Sequence, residues 1–143
     1  MPGFQFTETM AGHYTRDGRE RSLSFQATAR ASSMWQFMKD RTATLDGVID
    51  AEGLAENSPM HGSITIDPFI GRIIKYDFEF TAADGKVYRF AGQKSVSHKA
   101  PITSMTSLPA EITDDKGRVI AKAHVHFQGK HMLPFLASWR PVL

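Results

Sequence analysis

In Phe4-Gln5-Phe6-Thr7-Glu8-Thr9-Met10 a carboxylate falls in phase with three large apolar residues, which in a strand of period two puts Glu8 on the apolar face. Lys94 is placed the same way, in phase with Tyr88, Phe90 and Gly92. A buried, unpaired charge is too costly to keep, so an inward Glu8 and an inward Lys94 would partner each other, orient the polar end of a ligand, or work as acid and base against each other or a tyrosine. The alternative is that one or both sit at the mouth of the fold, wet and structural.

The six histidines make a poorer case. His124 and His126 share a face with Ile120, Lys122 and Gln128, the solvent side of a strand, while His13, His61, His98 and His131 fall in turns without motif spacing. A catalytic zinc site needs a third ligand and a second shell, and neither is legible, so no metal is expected. There is no nucleophile elbow, phosphate-cradling glycine loop or dinucleotide fingerprint, so no cofactor is expected either.

These residues are carried by a chain that reads as strands. Ile74, Tyr76, Phe78 and Phe80 alternate with Lys75, Asp77, Glu79 and Thr81; Ala83-Asp84-Gly85-Lys86 supplies a turn, and Val87-Tyr88-Arg89-Phe90 starts the return. The same grammar gives a first strand from Phe4 to about Tyr14, a turn at Arg16-Asp17-Gly18-Arg19, and a second strand with Leu23, Phe25, Ala27 and Ala29 inward. Ser32 and Ser33 then cap good helix formers through Asp40, predicting one short helix. A third strand follows with Ala43, Leu45, Gly47, Ile49 and Ala51 on one face, then a loop through Asn57-Ser58-Pro59 and a short fourth strand holding Ile64 and Ile66. Pro109 marks an edge or bulge in the seventh strand, and Val119, Ala121, Ala123, Val125 and Phe127 form the inner face of the eighth.

The fold class expected over residues 1–143 is therefore all-β: a single antiparallel up-and-down β-barrel domain of about eight strands, lipocalin- or calycin-like, with one short helix. A Greek-key sandwich is the alternative, but it needs a long return connection that the chain has little length to supply. Inward positions mix small residues (Ala27, Ala29, Ala43, Gly47, Gly92, Ala121, Ala123) with large ones (Phe25, Tyr76, Phe78, Phe80, Tyr88, Phe90, Phe127). That mixture predicts either a ligand cavity or a solid core of large packed against small.

With no cysteine, disulfides and thiol chemistry are excluded and a reducing cytosol is the easiest home. A formal charge of +2 with scattered basic residues lacks the footprint of a nucleic-acid binder. Neither a signal sequence nor a membrane span is legible, so the expectation is a soluble, unprocessed, cytoplasmic protein. The segment Met132-Leu133-Pro134-Phe135-Leu136-Ala137-Ser138-Trp139 is too apolar to hang in water and is expected to pack over the barrel or into a partner or second copy, with Arg140 framing the contact.

Phe6-Thr7-Glu8-Thr9-Met10-Ala11-Gly12, Ala43-Thr44-Leu45-Asp46-Gly47-Val48, Lys75 to Phe80, Asp84 to Tyr88, Gly92-Gln93-Lys94 and Met105-Thr106-Ser107-Leu108 together resemble a module found beside cholesterol-oxidase-like flavoproteins of the glucose-methanol-choline class. The resemblance implies an accessory domain in sterol or lipid metabolism with a flavoprotein partner, and not the flavin domain itself. Relatives carry Leu-Trp before the Thr-rich strand where this chain has Pro101-Ile102-Thr103-Ser104. The functional expectation is a non-enzymatic binding module for an apolar, lipid- or sterol-like molecule, with Glu8, Phe25, Tyr76, Phe78, Phe80, Tyr88, Phe90, Lys94 and Phe127 as its ligand-binding residues. The alternatives are a barrel isomerase, cyclase or hydratase using Glu8 with Lys94, and an interaction domain acting through the apolar tail.

Overall fold

The computed structural model describes residues 3–67, 73–95, 107–127 and 140–142. Their strands are β1 (Gly3–Arg16), β2 (Arg19–Ala31), β3 (Thr42–Ala51), β4 (Ala55–Asp67), β5 (Ile73–Thr81), β6 (Val87–Ser95), β7 (Ser107–Thr113), β8 (Val119–Phe127) and β9 (Arg140–Val142), with one helix, α1 (Met34–Asp40). Every pairing is antiparallel, and β1 bonds both β2 and β8, so β1 to β8 close into an up-and-down barrel with no free edge between them. The expected all-β barrel with one short helix is the fold. β9 pairs with Gly3–Gln5 of β1, so the described end of the tail belongs to this chain's own sheet.

The hairpins form where the backbone can turn tightly. Asp17 and Gly18 both take positive φ (52° and 77°), the two-residue turn whose twist matches the strands. Gly85 and Gly117 serve the β5–β6 and β7–β8 turns at φ 83° and 79°, and Asp84 and Asp114 accept the backbone N–H groups of Lys86 and Lys116. These turns gather at one end of the barrel. At the other end lie α1 and the strand ends that flank residues 68–72, 96–106 and 128–139. Ser33 caps α1 by accepting from the Gln36 N–H, and Arg41 ends it in the left-handed conformation. Phe37 packs its ring edge-on against Phe4, centroids 4.8 Å apart, while Trp35 and Met38 stay exposed.

Two strands differ from expectation. β4 is thirteen residues long, and Asn57, Ser58 and Pro59 belong to it instead of to a loop. Asn57 tolerates φ 46°, its N–H is held by Asp50 Oδ1 at 2.7 Å, and the register shift between Ile49 and Ala51 absorbs the irregularity. Val119 is exposed, not inward: the register shifts between Ile112 and Thr113 beside it, and Ile120 packs against the core instead. Pro109 lies opposite His124 within the β7–β8 ladder and one residue beyond the last β6–β7 pair, Gly92 with Ala110, so its missing N–H falls where the described β6–β7 pairing ends.

Close strand approach makes glycine obligatory at several positions, Gly47 and Gly62 among them. A Cβ at Gly47 would lie 2.0 Å from the Gln26 carbonyl oxygen, and one at Gly62 would lie 2.0 Å from that of Asp77. Both neighbours are backbone and cannot swing aside. Gly62→Ala is expected to cost about 1–3 kcal/mol, the usual penalty for overpacking, read as a fall in the urea midpoint at unchanged slope.

Candidate functional site

β1 and β5 stand opposite each other in the closed barrel, with three strands between them on either side. Glu8 projects inward from β1, and Tyr76 from β5. The phenol of Tyr76 donates to Glu8 Oε2 at 2.9 Å, so a single hydrogen bond crosses the lumen between residues 68 positions apart. Small neighbours flank both ends of this crossbar: Ala27 of β2 is register partner to Glu8, and Gly92 of β6 to Tyr76.

Glu8 is 3% exposed and is the one buried polar or charged residue among the described residues. Its second oxygen, Oε1, has no hydrogen-bond partner among them. Burial, which penalises the charged carboxylate, raises its pKa from 4.5 to about 7, and the Tyr76 hydrogen bond opposes that rise. Tyr76 is pushed well above 10 by its own burial and by the adjacent Glu8. Near neutrality the crossbar therefore holds a carboxyl poised between its two protonation states beside a phenol that keeps its proton.

The aromatic residues expected to line a cavity pack against one another on the turn side of the crossbar. Phe78 stacks on Phe90 at 4.7 Å, Phe25 meets Phe78 and Phe90 edge-on at 5.3 and 5.7 Å, and Phe80 stacks on Tyr88 at 6.0 Å. Phe25 also lies 6.0 Å from Tyr76, so this cluster forms a floor beneath the polar pair. Tyr88 points its hydroxyl to Asp84 in the β5–β6 turn at 2.7 Å, away from Glu8. On the other side of the crossbar stand Phe6 and Phe4, stacked at 6.2 Å. The backbones of Lys94 and Phe127 lie on β6 and β8, opposite Ile74 and Met10; their side chains fall outside the described residues. Residues 132–139 of the apolar tail fall outside them too.

Tyr76 as the partner of Glu8 was the connection that local pattern could not single out. Strand phase shows that both face inward, but three tyrosines are available and nothing in the spacing says which lies across the barrel. A second difference concerns histidines: His13 and His61 sit in β1 and β4, not in turns. His13 lies opposite His124, whose ring stacks on that of His126 at 4.6 Å, and His61 bonds to Asp46 on the exposed outer face. Extended pairing carried both strands through these polar outward positions. No group of three or more His, Asp or Glu side chains among the described residues is placed to hold a metal ion. Two clefts, of about 200 and about 250 Å³, lie respectively beside α1 (Arg30, Ser33, Phe37, Thr44) and along β4 to β6 (Pro59, His61, Glu79, Val87), both lined largely by outward residues.

The chain matches no family model, no curated protein and no solved structure. None of these comparisons links the chain to the flavoprotein-associated module expected from its motifs. No helix among the described residues is long and apolar enough to cross a membrane.

Proposed function

We propose that the barrel is a binding module for an apolar small molecule, taken up from the α1 end and anchored by a polar group at the Glu8–Tyr76 crossbar. One observation carries this reading: beside the Tyr76 phenol, in an otherwise apolar interior, the second carboxyl oxygen of Glu8 is buried with no described partner. A buried group of that kind costs about 1–3 kcal/mol of desolvation, more if charged, and a bound partner that supplies the missing contact is one reason for a protein to retain it. The aromatic floor and the small residues Ala27, Ala29, Ala43 and Ala110 make the surroundings of the crossbar apolar, the chemistry that a lipid- or sterol-like body would call for. The motif resemblance points the same way and adds a flavoprotein as the partner for which the module would hold its ligand. The test is native mass spectrometry of detergent-free protein before and after incubation with a lipid and sterol extract. An adduct of small-molecule mass that vanishes on unfolding is expected; a bare chain under both conditions would contradict the reading.

A second reading, a proton-transferring enzyme, is favoured by a separate feature: a carboxyl that burial pushes up to about 7 lies within hydrogen-bond reach of a tyrosine. The same incubation separates the two. A binding module returns its ligand unchanged, and an isomerase or hydratase returns a product of altered structure or mass.

A further inference from the structure

We propose that the polar end of the ligand is a hydrogen-bond donor, a hydroxyl or amino group seated on Glu8 Oε1, and that the site discriminates against carboxylate-headed molecules such as fatty acids. This rests on the binding reading above and names its ligand class.

The inference follows from counting donors and acceptors at the crossbar. A phenol carries one hydrogen, and that of Tyr76 is already given to Glu8 Oε2. Tyr76 therefore has no donor left for an incoming anion. Glu8 is the one buried polar or charged residue among the described residues, so no described cation stands ready inside the barrel to receive a carboxylate. What remains is an acceptor, Oε1, on an ionisable acid. A hydroxyl or an ammonium group completes it, whereas a second carboxylate beside Glu8 would repel it or have to take up a proton. A ketone offers only acceptors and is served poorly by the ionised acid.

Glu8→Gln inverts this pattern. The Tyr76 hydrogen must go to the amide oxygen, which leaves the Gln NH2 at the place where Oε1 stood. An acceptor becomes a donor at almost unchanged volume. Head-group preference should therefore reverse, an outcome that simple loss of structure cannot produce.

The experiment titrates wild-type protein and Glu8→Gln, both checked for fold by circular dichroism, with cyclohexylmethanol, cyclohexylmethylamine and cyclohexanecarboxylate. Binding is followed by calorimetry about one pH unit above the Glu8 midpoint of about 7. For the wild type, the alcohol and the amine should bind about 10- to 100-fold more tightly than the carboxylate, the range expected of a hydrogen bond to a charged group. In Glu8→Gln the carboxylate should gain and the donors should lose. If the carboxylate binds wild type as tightly as the alcohol, a cation occupies the site and the proposal falls while the binding reading stands. A Glu8→Gln variant that folds and keeps the wild-type order would also overturn the proposal. If none of the three probes binds, the binding reading itself fails.

Discussion

Above the Glu8 midpoint of about 7, Glu8→Gln is expected to be more stable than the wild type by roughly 3 kcal/mol, and the fall in stability that Glu8 adds to the wild type between about 4.5 and 7 should be missing from the variant. The sign follows from proton linkage. Folded Glu8 holds its proton up to about 7, while the unfolded chain releases it at 4.5, so across this window the native state binds more protons than the unfolded one. The stabilisation is complete below 4.5 and is lost as pH rises through about 7, at about 1.36 kcal/mol per unit over about 2.5 units. Glutamine stays neutral throughout and can still accept the Tyr76 hydrogen bond, so it avoids the cost of burying a charge. Urea unfolding at several pH values reads the difference directly. Parallel wild-type and variant curves would show that Glu8 ionises at its ordinary pH inside the barrel.

Phe25→Ala should be among the most destabilising single changes in the chain, at about 3–5 kcal/mol. Phe25 is fully buried and touches the rings of Tyr76, Phe78 and Phe90, so its removal takes away a large apolar surface and opens a void that three rigid neighbours cannot close. Phe25→Leu, which fills most of the space, should cost less than half as much. The loss should also reach the crossbar. Water entering the void beside Tyr76 would relieve the desolvation that raises the Glu8 pKa, so the stability loss with pH should shrink in Phe25→Ala. Equal costs for the two substitutions would mean that the ring cluster is not the close-packed floor described above.

The β5–β6 hairpin was legible because each of its signals is local. Tyr76, Phe78 and Phe80 repeat at period two, and Gly85 supplies the one positive φ that its turn requires. Inward Glu8 was legible for the same reason, from its phase with Phe6 and Met10. What local pattern misread was governed by neighbours in space. Asn57-Ser58-Pro59 carries turn-forming residues yet extends β4, because Asp50 and the β3 bulge accommodate them. Val119 keeps the inward phase of β8 on paper and loses it to a register shift. The pairing of Glu8 with Tyr76 depends on barrel closure, which sets β1 opposite β5 and leaves no trace within either strand.

The most direct test of the crossbar is a titration of the Glu8 side-chain carboxyl by carbon NMR in protein labelled at glutamate Cδ, assigned by the loss of its signal in Glu8→Gln. A midpoint near 7 is expected, moving downward when cyclohexylmethylamine is added, because an ammonium group at Oε1 favours the ionised form. A midpoint near 4.5 that the amine leaves unmoved would contradict both the unpaired buried oxygen and the ligand site built on it.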